Sequence, residues 1–238
     1  MTTFAALALV GCCAAFAAPI APEAASKTEC PVSENVRGHE NIEWSVAYAY
    51  GLTDKTKDLP RVLLVGDSIC KDYQGLVRER LKGKMNVSYW VSSYCVTSPT
   101  YLPLLSIYLD EAKYDVVHFN NGLHSLGTST PAYEKGLRKA LSLVREKQPG
   151  AKIVWCSSTP LTDEAKTKKC RELNAAAAKV VVELGGIETD DLFAICDKFD
   201  RKRDCANVTL VDVKTRGGHD GAESIRSARA SARAFPTT

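Results

Sequence analysis

From Leu59 onward the chain alternates short apolar runs with longer amphipathic stretches, and no other feature constrains the fold as strongly. Repeated strand–helix–strand units of this kind are typical of a parallel sheet. The runs that fit strands are 61–65, 85–91, 114–120, 152–156 and 186–189. The stretches with helical spacing of apolar residues are 71–81, 129–147 and 162–184. The pattern predicts an α/β protein with a roughly five-stranded parallel sheet, whose site lies at the carboxyl ends of the strands.

Length and charge narrow the class of partner. A chain of 238 residues is large enough for one α/β domain with a substantial core. Its 31 basic and 28 acidic residues give a net charge of +3, which is too small to indicate a nucleic-acid groove or a membrane-binding surface. We therefore expect no nucleic-acid partner, and a small neutral substrate fits the composition better.

The first 18 residues carry no charged side chain and are largely apolar. A span so short and rich in alanine is typical of a signal peptide, and we expect cleavage near Ala17. Residues 19–40 then form a linker and 41–238 the folded domain of a secreted or extracytoplasmic protein. The alternative is a lipoprotein, because the tetrapeptide that ends at Cys12 resembles a bacterial lipobox. No later run is apolar enough to predict an integral membrane span.

Seven cysteines lie beyond the leader: Cys30, Cys70, Cys95, Cys156, Cys170, Cys196 and Cys205. In an oxidising compartment an odd number leaves at least one thiol outside any bridge within the chain, and the connectivity stays open. The spacings contain no C-x-x-C pair, and no histidine follows in zinc-finger register. The spacing therefore predicts no metal site.

The tripeptide Gly66-Asp67-Ser68 falls directly after the first predicted strand and before the first helix. A helix N-terminus points unsatisfied amides at any anion that develops there, so Ser68 occupies a position suited to a nucleophile. Gly66 permits a sharp turn, and Asp67 can accept nearby amides. The alternative is an ordinary helix cap, since serine and aspartate are among the commonest capping residues.

At this point the chain resembles the SGNH (GDSL-like) hydrolases. The first block of that family matches Val65-Gly66-Asp67-Ser68-Ile69, and the stretch from Val116 to His124 resembles its third block. The resemblance implies a three-layer α/β/α flavodoxin-like fold and hydrolysis of carboxylic esters with Ser68 as the nucleophile. It implies no metal or organic cofactor.

The resemblance also implies an oxyanion hole. The Ser68 amide would donate, and Gly122, His124 and Ser125 fall on the Gly, Asn and Asp of the third block. A neutral imidazole N–H can donate to an oxyanion as an amide does, and Asn120 and Asn121 are alternative donors.

The second block of the family is a glycine in the loop after the second predicted strand. No glycine occurs within Ser92 to Ser98, so a backbone amide near Thr97 would serve in its place. Cys70 and Cys95 would then both flank the site, and a disulfide between them is a further hypothesis.

The catalytic base is the open part of this interpretation. The Asp-x-x-His of the family is not present, and its histidine would fall near Lys214, which is protonated at neutral pH unless strongly desolvated. The only C-terminal histidine is His219, with Asp212 as a candidate orienting partner. The loop either repositions His219 as the base, or the protein has lost hydrolysis, or the C-terminal sequence contains an error.

Two classes of function follow. The first is a serine esterase that acts on small-molecule, lipid or O-acetylated carbohydrate esters through an acyl-enzyme. The second is a non-catalytic SGNH-like domain that binds an acylated sugar or lipid. A nucleotide-binding role lacks support, because the first loop has neither G-x-G-x-x-G nor the P-loop lysine.

Overall fold

The computed structural model describes residues 42–199. The strands are β1 (Ser45–Tyr48), β2 (Arg61–Gly66), β3 (Asn86–Ser92), β4 (Val116–Phe119), β5 (Lys152–Cys156) and β6 (Ile187–Asp190). The helices are α1 (Ser68–Leu81), α2 (Tyr101–Asp110), α3 (Thr130–Lys147), α4 (Glu164–Leu184) and α5 (Leu192–Cys196). A short 3-10 helix spans Leu123–Ser125 between β4 and α3.

The strands form one sheet in the order β1-β3-β2-β4-β5-β6. Strands β2 to β6 are parallel, which confirms the predicted α/β class and parallel sheet. The prediction missed β1, which pairs antiparallel with β3 at the edge. Its residues are mostly exposed, so burial does not account for this strand, and pairing with β3 does.

Helices cover both faces of the sheet, so the three-layer α/β/α arrangement is confirmed. One core lies between the sheet and α2, α3 and α4, and includes Val65, Phe119 and Trp155. The other lies between the sheet and α1 and α5, and includes Leu64 and Val116. Successive strand residues alternate between these cores, as the period of a strand requires.

Helix α2 was not predicted. Its sequence YLPLLSIYLD is apolar at most positions and contains Pro103, so its apolar residues do not show the spacing of an amphipathic helix. Pro103 lies in the first turn, where the backbone N–H has no partner within a helix, and it is tolerated there. Tyr101, Leu105 and Leu109 are fully buried against the sheet.

The start of α1 depends on Gly66, the last residue of β2. A Cβ added to Gly66 would overlap the Cβ of Cys70, whose position is set by the α1 backbone. Without a side chain at Gly66, the first turn of α1 packs directly on the end of the strand. This close approach fixes where Ser68 lies.

We expect Gly66→Ala to lower the free energy of unfolding by about 1–3 kcal/mol, because α1 must shift to accommodate the new Cβ. The matched control is Gly75→Ala in the exposed middle of α1, where an added Cβ meets nothing within 4 Å. It should stabilise the protein by about 0.5–1 kcal/mol. Urea denaturation of both variants measures the contrast, and equal effects would contradict this account of α1.

No helix within residues 42–199 combines the length and apolarity that a membrane crossing requires.

Candidate functional site

Ser68 is the first residue of α1 and lies at the carboxyl end of β2, as predicted. It is 6% exposed, and its hydroxyl oxygen is buried without a hydrogen-bond partner among residues 42–199. The helix is capped by Asp67, whose Oδ1 accepts the Ile69 amide at 3.0 Å. Capping therefore does not explain the Ser68 hydroxyl, which lies where amides of the first turn have no intrahelical acceptor.

Asp67 is 1% exposed and has an unusual electrostatic environment. Burial raises the pKa of its carboxyl group, because the charged form is poorly solvated there. The His124 imidazole opposes this rise, and so do the backbone amides of Ile69 and Leu123. Leu123 in the loop after β4 and Ile69 in the first turn of α1 pack in one apolar cluster, so the structure brings the first and third blocks together.

The raised pKa of Asp67 predicts a pH dependence. A carboxyl group with a higher pKa in the folded state than in the unfolded state binds more protons when folded, so stability falls as pH rises from the ordinary value of 3.8 through the folded pKa. Asparagine keeps the cap and removes the charge. The gain in unfolding free energy from Asp67→Asn should therefore be larger at neutral pH than at acid pH.

Chemical denaturation at several pH values measures this gain. Asp163→Asn changes the exposed cap of α4 and separates the effect of burial from that of capping. A gain from Asp67→Asn that is the same at acid and neutral pH would contradict the prediction.

The loop after β4 is held by buried hydrogen bonds. Asn120 Nδ2 donates to the Cys156 carbonyl at 2.8 Å and to Ser158 Oγ at 3.2 Å, which joins this loop to the one after β5. Asn121 Nδ2 donates to the Tyr94 carbonyl at 2.9 Å, while its Oδ1 accepts Ser125 Oγ at 2.8 Å. Both ends of the Asn121 amide thus hold loop structure as well.

Gly122 allows the loop after β4 to lie close against the loop after β5. A Cβ added there would overlap Ser158 Oγ, because the two loops lie against each other at this point. Thr97 lies in the loop after β3, with its Oγ1 3.0 Å from the sulfur of Cys95. The contact from Asn121 to Tyr94 brings this loop to the same end of the sheet.

His124 lies at the rim of the site. It is half-buried in the 3-10 helix, and its ring meets Trp44 edge-on with centroids 6.0 Å apart. Lys71, three residues after Ser68, places its Nζ 5.2 Å from the centre of the Trp44 ring. Trp44 was not singled out from the sequence, because it precedes the first recognisable strand.

The hypothesis of a Cys70–Cys95 disulfide is wrong. The five cysteines within residues 42–199 form no disulfide with one another, and all five are buried. Cys70 lies on the buried face of α1 and packs in the core, whereas the Cys95 sulfur contacts Thr97. Burial raises the pKa of Cys70 to about 12 and that of Cys170 to about 12, so neither is a thiolate nucleophile at neutral pH.

The residues predicted to supply the catalytic base lie outside residues 42–199. His219, its partner Asp212 and the alternative Lys214 all lie beyond the described residues, as do Cys30 and Cys205.

A buried polar cluster lies below the loops and was missed by sequence reasoning. His118 Nε2 lies 3.2 Å from Asp190 Oδ2, and the Tyr73 hydroxyl lies 3.5 Å from His118 Nδ1. His118 is 0% exposed. It lies inside an apolar run, and its partners are far away in sequence, so no spacing could reveal the cluster.

No protein-family model matches the sequence, and no curated protein matches it. Solved structures do match. A carbohydrate esterase of family 2 with a carbohydrate-binding domain, from Corynascus thermopiles (Myceliophthora fergusii), aligns with a TM-score of 0.55 and 16% identity, over 77% of this chain and 67% of its own. A carbohydrate esterase of family 3 from Talaromyces cellulolyticus aligns with a TM-score of 0.52 and 14% identity, over 74% of this chain and 94% of its own.

A candidate GDSL-like lipase from Parabacteroides merdae aligns with a TM-score of 0.53 and 18% identity, over 74% of this chain and 94% of its own. At such identities the similarity establishes the fold. The chain has the fold of the SGNH hydrolases, which confirms the fold that the two sequence blocks implied.

Proposed function

We propose that the protein is a serine esterase of SGNH type, which hydrolyses carboxylic esters through an acyl-enzyme. The observation that carries the proposal is the buried Ser68 hydroxyl, which bonds to no group within residues 42–199 and does not cap α1. A buried hydroxyl without a partner costs free energy, so its placement beside converging loops calls for a role other than stability.

In the proposed reaction, a base takes the proton of Ser68 Oγ, the oxygen attacks the ester carbonyl, and the base returns the proton to the alcohol as it leaves. The amides of Ser68, Gly122 and the segment near Thr97, with the His124 imidazole, stabilise the negative oxygen of the tetrahedral intermediate. Water then attacks the acyl-enzyme, releases the acid and restores Ser68. This chemistry needs no metal or organic cofactor.

The base in this proposal is His219, oriented by Asp212. A serine hydroxyl is a weak nucleophile until a neighbouring group takes its proton, and imidazole is the side chain best matched to that task near neutral pH. His219 is the histidine nearest the C-terminus of the chain, where SGNH enzymes keep their base.

Two of the similar structures are carbohydrate esterases, which supports an esterified sugar as the substrate. The direct test is hydrolysis by the purified full-length protein of 4-nitrophenyl acetate, 4-nitrophenyl octanoate and acetylated xylan. We expect faster release from acetate and acetylated xylan than from octanoate. No release above the heat-denatured protein from any of the three would contradict the esterase proposal.

The alternative is a non-catalytic domain that binds acylated sugar or lipid in the same cleft. It is favoured by Lys214, which stands near the place of the family histidine. Saturable binding of an acetylated oligosaccharide without release of acetate would identify this alternative.

A further inference from the structure

The register of the sheet places three metal-ligating side chains together. His118 on β4 is opposite Val154 on β5, and Cys156 on β5 is opposite Asp190 on β6. Because side chains alternate along a strand, residues 154 and 156 share a face, and so do their partners. His118, Cys156 and Asp190 therefore lie on one face of three adjacent strands, the face covered by α1 and α5.

The ligand atoms of these residues are close enough to share an ion. The nearest His118 nitrogen, the Cys156 sulfur and an Asp190 carboxylate oxygen all lie within 4.8 Å of one another. Metal–ligand bonds of 2.0–2.3 Å in tetrahedral geometry put zinc ligands about 3.5 Å apart. His118 Nε2 and Asp190 Oδ2 already meet that spacing at 3.2 Å, so small rotations of the side chains complete the set.

The donors suit zinc in particular. Imidazole nitrogen, thiolate sulfur and carboxylate oxygen are its usual ligands. A thiol that coordinates a divalent ion gives up its proton, so Cys156 and Asp190 would together balance the charge of the ion. The Tyr73 hydroxyl lies 3.5 Å from Nδ1, on the far side of the His118 ring from Asp190. An Nδ1–H that donates to Tyr73 leaves the Nε2 lone pair for a metal, which is the usual second interaction of a metal-bound histidine.

We propose that His118, Cys156 and Asp190 bind one zinc ion that ties β4, β5 and β6 together. Among these strands, β4 leads into the loop that begins at Asn120, and β6 leads into α5. Three protein ligands leave one tetrahedral position for a fourth donor. The proposal is independent of esterase activity, since it holds whether or not Ser68 is a nucleophile.

The test is the metal content of the full-length protein, purified without chelators or a histidine tag and measured by inductively coupled plasma mass spectrometry. We expect about one zinc per chain in the wild type. Cys156→Ser and His118→Gln should lose most of it. The matched control is Cys170→Ser, which removes a buried thiol that lies outside the cluster and should keep the zinc.

Cobalt gives a readout that needs no variant. Protein stripped of zinc and loaded with Co²⁺ should show a thiolate-to-cobalt charge-transfer band and tetrahedral d–d bands, and added zinc should raise its Tm. Substoichiometric zinc in the wild type together with an absent charge-transfer band would overturn the proposal. So would equal zinc in the wild type and in Cys156→Ser, because Cys30, Cys205 or His219 would then supply the ligands.

Discussion

Replacing Ser68 by alanine is expected to lower kcat/KM for 4-nitrophenyl acetate by about 10³-fold or more, since loss of a serine nucleophile leaves only the contribution of the oxyanion hole and binding. Stability should not fall. The Ser68 hydroxyl forms no hydrogen bond within residues 42–199, so alanine removes a buried polar group without breaking a contact seen there. A large loss of activity at unchanged Tm is the expected combination.

The matched control is Ser142→Ala, which changes an exposed serine on α3 and should leave both activity and Tm unchanged. Steady-state kinetics and thermal denaturation of the three proteins measure the outcome. Equal rates for the wild type and Ser68→Ala would remove Ser68 from the mechanism.

The second large effect concerns the base. His219→Ala is expected to lower kcat/KM by about 10³-fold, because a serine hydroxyl without a base keeps its proton and attacks slowly. Lys214→Ala is the comparison variant, because Lys214 stands near the family position of the base. It should retain most of the activity. Added imidazole should restore part of the activity of His219→Ala.

Steady-state kinetics with and without imidazole provide the measurement. An active His219→Ala beside an inactive Lys214→Ala would assign the base to the lysine. Full activity in both variants would remove each of them from the mechanism.

Regular periodicity made much of the fold predictable. The strand at 152–156 and the helix predicted at 129–147, observed as Thr130–Lys147, were placed to within one residue. Both have apolar positions at the spacing that their burial requires. The edge strand β1 could not be predicted, because pairing with β3 rather than burial creates it.

The polar residues at and below the ends of the strands also include some that the sequence predicts and some that it does not. The positions of Ser68 and of the loop that ends at His124 could be predicted, because each motif directly follows a strand. The carboxyl ends of parallel strands lie at one edge of the sheet, so the two motifs were expected there together. The cluster of His118, Cys156 and Asp190 could not be predicted, because neighbouring strands of a parallel sheet are joined by long crossovers. The register between strands brings these side chains together.

The account depends on Ser68 Oγ as the atom that becomes acylated. Treatment of the native protein with a fluorophosphonate, followed by peptide mass spectrometry, reads this atom directly, because the reagent leaves a stable adduct on an activated serine. We expect a single adduct, on Ser68, and none in Ser68→Ala. An adduct on another residue, or an unmodified wild type that still hydrolyses the ester, would contradict the account.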